Sequence, residues 1–73
     1  MTLAEILAEN LNTRRGALSQ EAFARKLGVS RPTLSRLESA AQNTTLQTLN
    51  QIAKALRCEV FELLKEPVGE RRG

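Results

Sequence analysis

SQEAFARKLGVSRPTLSRLE, residues 19–38, decides the fold of this chain. It places small, turning and apolar residues at the offsets that two helices crossing at a tight turn require. Ala24 is small enough to let a second helix backbone come close. Gly28 can take the left-handed conformation that ends one helix and redirects the chain. Leu27, Val29, Leu34 and Leu37 clamp the two helices together. Ser19 is a natural N-cap for the first of them, whose core face is Ala22 or Phe23, with Ala24 and Leu27. Ser30 caps the second, and Pro32 is tolerated because it falls in the first turn, where amide hydrogens have no intrahelical acceptor. What remains outward on that second helix is polar and basic: Ser30, Arg31, Thr33, Ser35 and Arg36. The pattern predicts a helix-turn-helix whose free face suits DNA.

Working outward, the rest of the chain also reads as helix. Thr2 and Glu5 form a capping box ahead of Leu3, Ile6, Leu7 and Leu11, which recur at helical spacing as a buried stripe, and that helix ends near Arg14 to Gly16. Thr44 or Thr45 starts a fourth helix with Leu46, Leu49, Ile52, Ala53 and Leu56 on one side. Val60, Phe61 and Leu64 mark a short fifth. No strand candidate has any weight. Residues 67–73, PVGERRG, have helix breakers and charge but little to bury, and the expectation is a domain over 1–66 followed by a flexible C-terminal tail over 67–73.

Gln20, Ala24, Gly28, Val29 and the run Ser35-Arg36-Leu37-Glu38 resemble the Cro/C1-type (XRE) family of helix-turn-helix regulators. The likeness continues through Asn43-Thr44-Thr45-Leu46-Gln47-Thr48-Leu49 and Ile52-Ala53-Lys54-Ala55-Leu56, which are similar to that family's fourth helix and the loop before it. The resemblance spans roughly residues 3–64. It implies an all-α, compact five-helix lambda-repressor-like DNA-binding domain, with the helix-turn-helix formed by the second and third helices.

Composition bounds the answer independently. Seventy-three residues make one small domain, whose core gives marginal stability unless helices pack well or a second subunit covers apolar surface. One Cys and no His exclude an internal disulfide and a Cys/His zinc site, so no metal or cofactor is expected. No apolar run spans a bilayer, and the early Glu5 is unlike the basic start of a signal peptide, so the expectation is a soluble, cytoplasmic protein, nucleoid-associated through DNA. Cys58 reads as a small buried hydrophobe. With no His, no Tyr and no Gly-rich phosphate loop, the isolated glutamates lack a partnered base, and no catalytic residue is assigned. The net charge of +3 is uneven: residues 14–38 carry six bases against Glu21 and Glu38, whereas residues 1–13 carry only Glu5 and Glu9.

The second helix of such a motif enters the major groove by its N-terminal end while the preceding helix spans the backbone. Arg31 is therefore the first candidate for base contact, by two hydrogen bonds to guanine, with a phosphate contact as the alternative. Pro32 can pack on a thymine methyl. Arg36 reads a base or anchors phosphate, and Ser35 shares its face. Gln20, at a helix N-terminus, is expected on a phosphate, as the resemblance also implies. Ser30 and Thr33 are further phosphate candidates, unless Ser30 is wholly used as a cap. By analogy with the family, the loop Gln42-Asn43-Thr44 meets the backbone on the far side of the groove.

The chain departs from the family in three places. Ser39-Ala40-Ala41-Gln42 replaces the Gly and base that often follow the equivalent of Glu38. Arg57 stands where a glycine often closes the fourth helix. The helix-one arginine that pairs with the glutamate in some relatives would here be Arg14 facing Glu38. For function, the expectation is a sequence-specific transcriptional regulator, a homodimeric repressor reading a palindromic operator, with Val60, Phe61 and Leu64, joined by Leu63 and Val68, as the dimer interface. Phe61 or Leu64 could instead complete the monomer core. The other readings are a restriction-modification controller protein, or an antitoxin whose main partner is a protein toxin.

Overall fold

The computed structural model describes residues 2–41 and 44–66. Five helices follow one another: α1 (Leu3–Arg15), α2 (Gln20–Leu27), α3 (Arg31–Glu38), α4 (Leu46–Leu56) and α5 (Val60–Leu64). Among the described residues there is no strand, and no helix is long and apolar enough to cross a membrane. The expectations for Gln42, Asn43, Val68 and the tail lie outside the described residues.

Local chemistry sets each helix start. The Thr2 hydroxyl accepts from the Glu5 amide while the Glu5 carboxylate accepts from the Thr2 amide, completing the capping box at α1. Ser19 accepts from Ala22, Ser30 from Thr33, and Thr45, the second of the two threonines considered, from Thr48. Each supplies an acceptor for one amide that the first turn leaves without an intrahelical partner.

The helix ends share a device that the sequence shows at only one of them. After α2, Gly28 lies at φ 77° and the Val29 amide reaches back to Ala24 O. After α3, Ala40 lies at φ 58°, with the Ala41 amide on Arg36 O and the Ala40 amide on Leu37 O. After α4, Arg57 lies at φ 58° and ψ 46°, with the Cys58 amide on Ala53 O. All three are Schellman-type closures, in which one left-handed residue lets two amides cover the last carbonyls. Gly28 suits that backbone without a Cβ, and an added Cβ there would stand 2.8 Å from Gln51 Nε2. That amide donates to Gly28 O and to Leu27 O, latching α4 to the turn of the motif.

Every helix contributes to one core. Leu11 from α1, Phe23 and Leu27 from α2, Leu34 from α3, Ile52 from α4 and Leu63 from α5 are sealed from solvent. Phe23, rather than Ala22, is the buried member of its pair, and Cys58 is half-buried against the core. Three expectations change. Leu3 is 62% exposed and Leu46 75% exposed, because each is the first residue of its helix and none of the described helices lies over it; the buried stripes begin at Ile6 and Leu49. Leu63, expected with the dimer surface, is instead a core residue. Asn10 secures it there: its Nδ2 donates to Leu63 O at 2.7 Å and to Lys65 O at 3.0 Å, supplying the carbonyls that so short a helix leaves open.

Ala40→Gly and Arg57→Gly relieve a left-handed L-residue at a cost in unfolded-state entropy, so each is expected to stabilise by about 0.5–1 kcal/mol. Thermal unfolding should show melting temperatures several degrees higher, and a lower value for either variant would contradict the assigned turn geometry.

Candidate nucleic-acid interface

On α3 the exposed residues Arg31, Pro32, Ser35 and Arg36 stand at helical spacings of three and four, so they form one outward stripe, while Leu34 and Leu37 face the core. Thr33 is half-buried at the edge of the stripe. Among the described residues neither Arg31 nor Arg36 has a carboxylate partner, which leaves both guanidinium groups available to an anionic ligand. The Glu21–Arg25 pair at 3.5 Å is highly exposed and contributes little.

The hydroxyls at the start of α3 are not equivalent. Ser30 Oγ accepts from the Thr33 amide and gives its own proton to Thr33 Oγ1 at 2.7 Å. In this arrangement Ser30 has no proton left for a phosphate oxygen. Thr33 does, because its hydroxyl is the acceptor in that bond.

Glu38 fixes how the stripe is presented. Its side chain is 6% exposed, and Arg15 Nε stands 3.1 Å from Oε2. The two atoms lack the alignment of a hydrogen bond, so the contact is a close charge pair. Gln20 Nε2 donates to the other carboxylate oxygen at 3.1 Å, and Asn12 Nδ2 donates to Glu38 O at 3.3 Å. The end of α3 is thereby tied to the end of α1 and the start of α2. The partner of Glu38 is Arg15, not Arg14: Arg14 points into solvent, and one residue on along α1 turns the side chain by a hundred degrees toward α3. Among the described residues Gln20 makes no other side-chain hydrogen bond, which leaves one amide proton and its carbonyl oxygen uncommitted. It is half-buried in the first turn of α2, beside the Ser19 cap.

The departure after Glu38 is structural as well. Where relatives often carry glycine, Ala40 adopts the left-handed turn, and the chain then runs through exposed Ala41 to half-buried Thr44. Of the three loop residues expected at the DNA backbone, Thr44 alone is described. The polar ties made by Asn10, Asn12 and Gln51 had no signal in the sequence, since an amide side chain at a helical position reads equally well as a solvated one.

The helix-turn-helix family model matches residues 14–63, which contain both helices of the motif and most of the core. The chain belongs to the Cro/C1-type helix-turn-helix family. It is 42% identical over 66 residues to the control protein C.SmaI of Serratia marcescens, covering 88% of this chain and 79% of that protein. It is 44% identical over 46 residues to the plasmid copy control protein CopR of Streptococcus agalactiae, covering 63% of this chain and half of CopR. Among solved structures, a hypothetical transcription factor from Neisseria, NHTF, superposes with a TM-score of 0.81 at 31% identity, covering 93% of this chain and 80% of NHTF. As a Cro/C1-type protein, the chain is a DNA-binding transcriptional regulator.

The two candidate partners of Glu38 give opposite expectations. Removing Arg15 leaves a nearly buried carboxylate with a single neutral donor, so Arg15→Ala should cost about 2 kcal/mol in urea unfolding, whereas Arg14→Ala should stay within about 0.5 kcal/mol. Equal effects would contradict the pair.

Proposed function

We propose that the chain is a homodimeric repressor that reads a palindromic operator through the major groove, its α3 lying in the groove and α2 crossing the backbone. One observation carries this reading: the outward stripe of α3 holds two arginines without a carboxylate partner among the described residues, on a helix braced at its C-terminal end by Glu38. In this reading Arg31, in the first turn, pairs with a guanine edge, and Pro32 packs on a thymine methyl. Ser35 and Arg36 extend the contact along the site. Gln20 and Thr33 hold phosphates, while Ser30 caps α3 and spends its own proton on Thr33 rather than on a phosphate. Gln42, Asn43 and Thr44 follow the backbone on the far side.

A single such domain makes too few base contacts for strong specificity, which supports a dimer reading two half-sites about 34 Å apart. Exposed Phe61 with half-buried Val60 and Leu64 supply the apolar face for it. Residues 1–66 form the folding unit, with 67–73 as a tail, and the protein works in the cytoplasm on chromosomal or plasmid DNA. Repression then needs only occlusion of a promoter, and the level of the protein itself sets the response.

A second reading has its own support. The relative that covers 88% of this chain is named as a control protein, which favours a controller of a restriction-modification pair over an antitoxin. The same DNA-reading face serves both the repressor and the controller.

Selection from a random duplex library at about 0.15 M salt should enrich a palindrome with half-sites one helical turn apart. Against that site, Arg31→Ala should relax preference at one base pair in each half-site, a loss of about 1–3 kcal/mol of discrimination, whereas Gln20→Ala should weaken binding to all sequences alike. No enrichment would overturn the reading, and equal loss on every sequence for both variants would reverse the roles.

A further inference from the structure

The two ends of α3 are held differently. Its C-terminal end is tied to α1 and α2 through Glu38. At its N-terminal end, where Arg31 stands, the Ser30 and Thr33 side chains bond only within the first turn of the same helix. Buried Leu34 and half-buried Val29 hold that end to the core, but apolar contact has no direction. The directional tie comes one step earlier in the chain, at the turn between α2 and α3. Gln51 Nε2, from α4, donates to Leu27 O at 3.3 Å and to Gly28 O. Among the described residues no other helix sends a side-chain hydrogen bond to this turn. The amide is seated hard against it, since a Cβ on Gly28 would stand 2.8 Å from the same nitrogen. Gly28, three residues ahead of Arg31, carries the left-handed bend that aims the next helix, with φ at 77°.

We propose that Gln51 is a positioning residue for base readout: it fixes the turn that sets where Arg31 enters the groove, without itself touching DNA. This role rests on the operator reading proposed above and assigns it a determinant outside the motif. Both accepting carbonyls lie at or near the surface, and water can give a proton to either once the amide is gone. Little stability is therefore lost. What water cannot replace is the tether to α4, a helix packed on α2 and α5 and so independent of the α1 contact that braces the far end of α3. A bidentate pairing between a guanidinium and a guanine edge depends on the placement of both nitrogens, whereas phosphate attraction tolerates a shift. Loosening this turn thus falls on discrimination and spares general affinity.

The test measures binding of the full chain to its selected duplex, to the same duplex altered at the base pair that Arg31→Ala relaxes, and to an unrelated duplex. Gln51→Met keeps the length of the side chain and removes its donor. Discrimination between the first two duplexes should fall by about fivefold or more, with affinity for the unrelated one unchanged within about twofold. Thermal unfolding should move by no more than a few degrees. Gln51→Lys, which returns a donor on a stem of similar reach, should restore the discrimination. In an Arg31→Ala background, Gln51→Met should bring no further loss at that base pair, because it acts through the arginine. Wild-type discrimination in Gln51→Met, an equal loss on all three duplexes, or a further loss in the Arg31→Ala background would overturn the positioning role while leaving Arg31 as the reader. An Arg31→Ala chain that discriminates every base pair as the wild type does would instead overturn the reading by Arg31, and the role of Gln51 with it.

Discussion

The orientation of α3 depends on one carboxylate. Glu38 has a side chain almost withdrawn from water, a state that is costly for a charge unless partners replace the lost hydration. Arg15 supplies the opposite charge from α1, and Gln20 supplies a donor from α2. The three residues lie at the ends of three helices, so the pairing requires those ends to meet. Leu34 and Leu37 hold α3 against the core without specifying its rotation closely, since apolar contact has no direction. The charge pair and its amide neighbour do have one. The outward stripe from Arg31 to Arg36 is in this sense set by what lies behind it.

Turn chemistry forms the second constraint. Three successive helices close on a left-handed residue, and that closure is what allows helices of only eight to eleven residues to change direction at once. Glycine meets the demand at Gly28, where Gln51 also presses close. Ala40 and Arg57 meet it with a Cβ, which tertiary packing must hold in place. Latches from Asn10 and Gln51 add to this, each satisfying carbonyls at a helix end from a neighbouring helix. A small core is supplemented by directional bonds at its edges.

Much of this was legible in the sequence, for reasons that are local. Caps at Thr2, Ser19 and Ser30 are read from residue type and spacing, and the spacing of Ala24, Leu27, Gly28, Leu34 and Leu37 marks the motif because a small residue, a left-handed turn and apolar clamps fall where two crossing helices need them. The misreadings arose where tertiary neighbours decide. Leu3 and Leu46 continue their apolar stripes in sequence, yet each is the first residue of its helix and extends past the core. Leu63 follows Phe61 in the same short helix, and only the packing of α5 on α1 tells which of them is inside. Arg14 and Arg15 are chemically identical, and the helix phase at the end of α1 separates them. The candidate interface was legible as a set of outward residues on α3; the difference between Ser30 as cap and Thr33 as free hydroxyl required the hydrogen bonds.

In the proposed reading, the face formed by the start of α2 and the outer stripe of α3 meets DNA. Backbone amide shifts of the ¹⁵N-labelled protein, followed during titration with its selected duplex, test it most directly. The largest changes are expected at Gln20, Arg31, Thr33, Ser35 and Arg36, with the α5 amides around Phe61 little altered. Changes concentrated on α4 and α5, with the stripe unmoved, would contradict it.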